Sequence, residues 1–122
     1  MDGQMRILFT GSRNYTNRDK VRYVLEGFFR ARPELITCQG GARGLDTLVK
    51  EEANKLGIPC ETYKAEWDKY GKAAGPIRNQ LMLDQFNPDL VVYFTEDLEK
   101  SKGTKDMVTR AKKNKIFTMR GG

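Results

Sequence analysis

The sequence predicts an α/β fold, a three-layer sandwich in which helices cover both faces of a five-stranded parallel sheet. Five short apolar runs alternate with four longer segments whose apolar residues recur every three or four positions. Glycine follows the first two runs directly, and glycine or proline closes three of the longer segments. Because 122 residues are the length of one ordinary domain, we expect a single domain over residues 1–122.

The first unit starts with residues 5–10, MRILFT, an apolar run that predicts a buried strand. Residues 16–19, TNRD, fit a capping box, which marks the first turn of a helix. Pro33 prevents this helix from continuing, because proline lacks the N–H donor. Between these signals the apolar residues repeat on one helical face: Val21, Val24, Leu25, Phe28 and Phe29.

The second unit repeats this pattern. Residues 35–39, LITCQ, predict a strand that ends at the glycine-rich segment 40–44. An amphipathic helix follows and stops at Gly57. Its apolar residues are Leu45, Leu48, Val49, Ala53 and Leu56. Residues 58–64 predict a third strand that is less apolar, so we expect it near a sheet edge.

The rest of the sequence supplies two more helices and two more strands. The third helix is expected to begin at Pro76, where a missing N–H is no loss, and to end before Pro88. The fourth opens at Gly103 and reaches about Lys113. The strands are residues 90–94 and 116–119. This alternation favours a parallel sheet with right-handed crossovers, which is the Rossmann-like arrangement.

The composition excludes several kinds of chemistry. The chain has no histidine, which removes Ser-His and Cys-His nucleophile pairs and histidine-ligated metals. Cys38 and Cys60 lie in apolar stretches without metal-ligand spacing, so we expect buried thiols and no metal site. No apolar run approaches the roughly 20 residues that span a bilayer. We therefore expect a cytoplasmic protein without a membrane contact, in which any catalysis runs on carboxylates, lysine or bound water.

The net charge of +6 lies in the C-terminal part of the chain. Residues 1–99 hold 14 basic and 15 acidic side chains, whereas residues 100–122 hold eight basic and one acidic. Two interpretations stay open: a solvated helix surface, or a contact for nucleic acid through Lys100 to Lys115. The eight basic residues are Lys100, Lys102, Lys105, Arg110, Lys112, Lys113, Lys115 and Arg120.

Three loops at the carboxyl ends of the predicted strands combine glycine with a hydroxyl group or a cation, where open α/β sheets bind ligands. Unpaired N–H groups at helix N-termini attract anions, and glycine lets a phosphate approach the backbone. The loops predict a phosphate-bearing ligand, although a glycine pair after a strand is also typical of a tight turn. Their residues are Gly11, Ser12 and Arg13; Gly40, Gly41, Ala42, Arg43 and Gly44; and Lys102, Gly103 and Thr104.

The segment that follows the third strand adds further candidates. Arg78 and Asn79 lie in the first turn of the predicted helix, where a cation opposes the helix dipole unless a negative group is near. That group is either a ligand phosphate or a carboxylate such as Asp46 or Asp68. The same segment supplies aromatic residues that either stack on a base or anchor the core, and small or basic residues for the site. These are Trp67, Tyr70, Lys72 and Gly75.

Taken in order, these motifs resemble the YspA, cpYpsA-related branch of the SLOG superfamily. The resemblance rests on GGARG at residues 40–44, AGPIRN at 74–79 and the later Gly103-Thr104, and it covers nearly the whole chain. It implies a Rossmann-like sheet that binds a nucleotide or a nucleotide-derived, ADP-ribose-like ligand, and it implies no settled activity. Superfamily members often pair, so a homodimer is a further expectation. A phosphate-bound Mg²⁺ held partly by water would leave almost no trace in the sequence.

Two relatives in the superfamily imply different activities. The Lonely Guy phosphoribohydrolases cleave the N-glycosidic bond of nucleoside monophosphates with the glutamate of a PGGxGTxxE motif. Here Met107 stands where that glutamate would be, so a hydrolase would need Asp46 or Asp106 as its acid or base. The DNA-processing protein A family binds single-stranded DNA, and its Gly-Ile-Asp is similar to residues 44–46. Our first expectation is a non-catalytic binding module or sensor; hydrolase and nucleic-acid binder are the alternatives.

Overall fold

A computed structural model describes residues 3–122, and its sheet confirms the predicted architecture. All five strands run parallel in the order β3-β2-β1-β4-β5. Every predicted strand forms within two residues of its expected bounds, and the less apolar third strand lies at a sheet edge. The strands are β1 (Arg6–Gly11), β2 (Ile36–Gln39), β3 (Cys60–Thr62), β4 (Leu90–Phe94) and β5 (Phe117–Arg120).

Five α-helices connect the strands, one more than the sequence predicted. The additional helix is a single turn, α3, which lies in the long connection after β3 and leads through a 3₁₀ turn into α4. The helices are α1 (Arg18–Ala31), α2 (Leu45–Leu56), α3 (Trp67–Tyr70), α4 (Ala74–Phe86) and α5 (Lys102–Lys113). Among residues 3–122, no helix has both the length and the apolar character needed to cross a membrane.

Three helix starts differ from the prediction, and the simplest case is α5, which begins at Lys102, one residue before the expected Gly103. The N-cap of α1 is Asn17, whose Oδ1 accepts from the backbone N–H of Lys20 at 3.1 Å, so the helix starts one residue later than a cap at Thr16 would place it. Helix α4 begins before Pro76, because the 3₁₀ turn Gly71–Ala73 continues directly into it. Proline is tolerated there because the first-turn N–H groups of a helix lack intrahelical partners.

The core consists of two apolar layers, one on each face of the sheet. Helices α1 and α2 pack over the side chains of β1 and β4 that include Phe9 and Phe94. Helices α4 and α5 pack over the alternate side chains of the same strands, including Leu8 and Val91. Cys38 is buried in the second layer and Cys60 is half-buried, and both thiols are free.

The strand order places a topological switch point between β1 and β4. The chain leaves β1 through α1 on one face of the sheet, and it reaches β4 through α4 on the other face. At their carboxyl ends the two strands stay paired as far as Gly11 and Phe94, and the loops that follow diverge. In open α/β sheets such a divergence opens the crevice that binds ligands.

Helices α1 and α2 are joined by a buried carboxylate. The side chain of Glu52 is only 1% exposed and pairs with Arg18 at 2.6 Å, Arg22 at 2.9 Å and Lys55 at 3.1 Å. These cations lower the pKa of Glu52 to about 2, and the hydrogen bond from Arg18 has the largest effect. The cluster therefore fixes the angle between two helices that carry one core layer.

Candidate functional site

A cleft of about 580 Å³ opens at the switch point, between the loop after β1 and the N-terminus of α5. The N-terminal turn of α2 and the segment from α3 into α4 form its remaining walls. It brings together most of the residues that the sequence predicted for a ligand. They are Gly11, Ser12, Arg13, Ala42, Arg43, Asp46, Trp67, Lys72, Gly75, Arg78, Asn79, Gly103 and Thr104.

Three predicted glycines, Gly40, Gly41 and Gly44, lie outside the lining of the cleft. Packing within the protein accounts for two of them. A Cβ atom on Gly40 would overlap the guanidinium of Arg78, and Gly44 has a φ of +74° and lies against the backbone of Arg13. Packing against Arg78 therefore explains the glycine at position 40, and the alternative of a tight strand-to-helix turn explains the one at position 44.

The backbone donors of the glycine loop, residues 40–44, are largely engaged by the protein itself. Oδ2 of Asp46 accepts from the N–H groups of Gly40 at 3.2 Å and Ala42 at 3.1 Å. The N–H group of Gly41 donates to Oε1 of Gln39 at 2.7 Å. The carboxylate of Asp46 thus takes the position that an anionic ligand would have in this loop, so a phosphate requires other donors.

Asp46 is the most strongly perturbed acid that lines the cleft. Its side chain lies at the start of α2 and the residue is 7% exposed. Burial raises its pKa to about 6, although the two loop amides and the Arg78 guanidinium favour the ionised carboxylate. A carboxyl group of this kind exchanges its proton close to neutral pH, which suits either a pH-sensitive charge or a general acid.

Arg78 lies in the second turn of α4, one turn later than predicted, because the helix begins at Ala74. Its Nη1 donates to the carbonyl of Gly40 and, at 3.3 Å, to that of Tyr63. Burial lowers its pKa, while the negative charge of Asp46 opposes that shift. Asp46 is thus a nearby negative charge for this arginine, although the two side chains form no ion pair within 4 Å, and the guanidinium holds the glycine loop through the carbonyl of Gly40.

Asn79 connects α4 to the start of α5. The residue is 3% exposed, and its Nδ2 donates to Oδ2 of Asp106 at 2.9 Å and to the carbonyl of Gly103 at 3.2 Å. Arg110 also donates to Asp106, at 2.8 Å, and to Gln80 at 3.1 Å. This network positions the N-terminus of α5. The four-residue spacing of Asp106 and Arg110 on one helix was the sequence signal that could have indicated this ion pair.

The first turn of α5 offers backbone donors without a side-chain cap. Ser101 occupies the N-cap position but caps nothing, because its Oγ lies 2.6 Å from Oγ1 of Thr95. The N-terminal amides of this helix therefore face the cleft with the positive end of the helix dipole. Sequence reasoning did not assign several lining residues to the site: Thr10, Asn14, Pro76, Lys100 and Ser101.

The cleft is strongly electropositive. Six cations line it against two carboxylates, Asp46 and Asp106, and within residues 3–122 none of the six has a carboxylate oxygen within 4 Å. Such unpaired cations favour an anionic ligand. They are Arg13, Arg43, Lys72, Arg78, Lys100 and Lys102.

The basic residues of the C-terminal part do not form one surface. Lys100 and Lys102 line the cleft, whereas Lys112 and Lys113 lie in the last turn of α5. Between these ends Lys105 pairs with a glutamate, and the remaining arginine of the helix pairs within the network described above. The charge excess of the sequence is thus divided between the cleft and the opposite end of the helix.

Met107 lies away from the cleft. It is 1% exposed and packs in the core layer with Met82 and Phe86. The helix position that holds the catalytic glutamate in the resembling hydrolase motif therefore points into apolar surroundings here, where a carboxylate would be poorly solvated. Asp106, the other acid on this turn, is held by Asn79 and Arg110.

Comparisons with known proteins agree with this architecture. The model of the YspA, cpYpsA-related SLOG family matches residues 5–70. The Gene 61 protein of Mycobacterium phage D29 is 32% identical over 114 residues, which cover 88% of this chain and 89% of that protein. The X-ray structure of DNA processing protein A from Streptococcus pneumoniae is similar with a TM-score of 0.76 at 19% identity. That likeness covers 95% of this chain and 50% of the other, so this chain shares its fold with one half of the larger protein.

Proposed function

Because the chain belongs to the YspA, cpYpsA-related SLOG family, we propose that it is a binding module or sensor for a nucleotide or a nucleotide-derived, ADP-ribose-like ligand. One observation carries this proposal: six cations without carboxylate partners line a cleft at the topological switch point of the sheet. A ligand with phosphate groups supplies the negative charge that these side chains lack.

The phosphate is best held between the loop after β1 and the start of α5. Oγ of Ser12 accepts from the N–H group of Asn14 at 3.0 Å, so its own proton is available to a phosphate oxygen. The uncapped amides of α5 and the side chains of Arg13 and Arg43 surround this position. The glycine loop contributes less, because Asp46 already occupies its donors.

A second candidate function is hydrolysis of an N-glycosidic bond, which the raised pKa of Asp46 favours. A carboxyl group with a pKa of about 6 that lines the cleft is suited to protonate a leaving base. The burial of Met107 supports the non-catalytic proposal, since the hydrolase motif needs a carboxylate at that position. Product analysis of each bound ligand separates the two functions: intact ligand supports a binding module, and free base or ribose phosphate supports a hydrolase.

The first experiment is a thermal-shift screen against AMP, ADP-ribose, NAD, cyclic dinucleotides and short single-stranded oligonucleotides. The site is then tested with Arg43→Ala, which we expect to weaken binding of each hit roughly tenfold through the loss of a charge-assisted contact. Lys113→Ala removes the same charge at the far end of α5 and should leave binding unchanged. Equal affinity of both variants and the wild type would overturn the proposed site, and affinity only for oligonucleotides with a steep salt dependence would favour nucleic-acid binding.

A further inference from the structure

We infer that the ligand carries a planar aromatic base and that Trp67 is the side chain on which this base stacks; the inference rests on the proposed function of the same cleft. Trp67 is the single tryptophan of the chain, begins α3 and lines the cleft. It is 47% exposed, although an indole is among the largest apolar surfaces that a protein can bury.

Exposure alone does not carry the argument. Tyr23 and Phe117 are more exposed and lie outside the cleft lining, as scattered apolar side chains do on many surfaces. Trp67 differs because its ring is held. The guanidinium of Arg13 lies over the ring, 5.4 Å from its centroid, and a Cβ atom on Gly75 would contact the indole at 3.4 Å.

An indole that a guanidinium covers is a partly ordered stacking surface. Arg13 can hold the ring by a cation–π interaction, and Gly75, which has no side chain, leaves space beside the indole at the start of α4. About half of the side chain stays open, and lysine and arginine side chains surround it in the cleft. Little rotational freedom of the ring is then lost when a flat ligand group binds.

The two halves of the cleft suit the two halves of a nucleotide. The start of α5 and Ser12 offer N–H and O–H donors to a phosphate, and Trp67 on α3 offers an apolar plane. A bare phosphate or a sugar phosphate would use the donors and leave the indole exposed. Stacking of a base on an aromatic side chain contributes about 1–3 kcal/mol, which corresponds to roughly 5- to 150-fold in affinity.

The test compares AMP with ribose 5-phosphate, two probes that differ by the base. We expect AMP to bind the wild type at least about fivefold more tightly and to quench the fluorescence of Trp67, the single tryptophan. Calorimetric titration of Trp67→Ala should show the advantage of AMP lost while ribose 5-phosphate binds as before. Trp67→Phe should keep most of the advantage, and Tyr70→Ala, which changes an aromatic side chain outside the cleft lining, should keep all of it.

Each outcome separates the inference from the proposed function. Equal affinity of the wild type for both probes, or an unchanged preference in Trp67→Ala, would overturn stacking and leave the phosphate site intact. An equal loss of both probes in Trp67→Ala would likewise overturn it, because the tryptophan would then shape the cleft and not contact the base. If neither probe binds the wild type and the thermal-shift screen also finds no nucleotide or nucleotide derivative that binds, the proposed nucleotide function itself falls.

Discussion

At the scale of single residues, Asp46 is the group on which the behaviour of the cleft depends most. It accepts two hydrogen bonds from the glycine loop, and it is the acid of the cleft lining whose pKa is raised to about 6. Because its folded-state pKa exceeds the ordinary value of 3.8, its contribution to stability is complete below that value and is lost as the pH rises through about 6. Near neutral pH the folded protein therefore retains an ionised carboxylate at an energetic cost.

This titration predicts a pH-dependent affinity. Protonation of Asp46 removes a negative charge from the cleft, so we expect the affinity for ADP-ribose to rise about tenfold as the pH falls from about 8 to about 5. ADP-ribose is the suitable probe because its pyrophosphate does not titrate in this range, whereas a terminal phosphate does near pH 6. Calorimetric titration across this range measures the effect.

Asp46→Asn is the matched control for that measurement. Its amide oxygen can still accept from Gly40 and Ala42, but the side chain carries no charge at any of these pH values. We expect this variant to bind ADP-ribose with a flat pH profile and, near pH 8, more tightly than the wild type. Identical profiles for the two proteins would show that another group controls the affinity.

The sequence predicted which residues lie in the cleft better than it predicted their hydrogen-bond partners. The sequence indicated that Arg78 and Asn79 belong to the cleft, and they lie there. It did not indicate that both are bound to the protein, one to carbonyl groups beside the glycine loop and one to Asp106. Such contacts join residues far apart in the chain, and no local pattern records them. Whether these side chains also contact a ligand stays a prediction.

At the scale of elements, the glycine and proline signals located most helix ends, and the errors come from local competition. Asn17 caps α1 in place of Thr16, because either side chain can accept from a first-turn N–H group. The 3₁₀ turn before α4 moved that start ahead of Pro76. Helix α3 has four residues, too few for a periodic apolar pattern to develop.

The ion-pair cluster of Glu52, which joins α1 and α2, gives a prediction on stability. Glu52→Gln removes the buried charge and leaves three cations that are 38%, 44% and 61% exposed, so we expect the free energy of unfolding to fall by about 1–2 kcal/mol through the loss of charge-assisted hydrogen bonds. Glu51→Gln, next in sequence, breaks an exposed pair with Arg18 and should cost less than about 1 kcal/mol. Urea denaturation at neutral pH measures both variants, and equal losses would contradict the special role of the buried carboxylate.

The same cluster makes the stability of the protein depend on pH. The folded-state pKa of Glu52 is lowered from 4.5 to about 2, so its stabilising contribution is present above the unfolded value and is lost as the pH falls through the folded value. Wild-type stability should therefore decline over this acid range more steeply than that of Glu52→Gln. Denaturation midpoints measured at several acidic pH values give the comparison.

At the scale of the whole molecule, the sheet was predictable because each strand and helix has its own apolar pattern. The strand order was not predicted, since it depends on contacts between elements that are distant in sequence. The family match ends at residue 70, so the helix α4 residues that support the glycine loop and the whole of α5 lie outside it. The sequence likewise indicated the charge excess but not its division between two ends of a helix.

That division predicts different roles for two pairs of lysines. Lys100→Ala with Lys102→Ala removes two charges from the cleft, and we expect it to weaken ADP-ribose binding about tenfold. Lys112→Ala with Lys113→Ala removes the same charge roughly 15 Å along the helix, beyond the screening length of physiological salt, and should change the affinity less than about twofold. Calorimetry in physiological salt compares the pairs, and equal effects would indicate that net charge alone attracts the ligand.

The carboxylate that fills the glycine loop also bears on how a bound ligand could be reported to another molecule. Because Asp46 holds the amides of Gly40 and Ala42 through hydrogen bonds within the protein, we expect the order of the loop not to depend on a ligand. Binding then incurs little entropy of loop ordering. For the same reason we expect no disorder-to-order change of the loop on binding, so its folding would not signal occupancy. A partner molecule would have to recognise the bound state by a change in surface charge and shape at the cleft mouth.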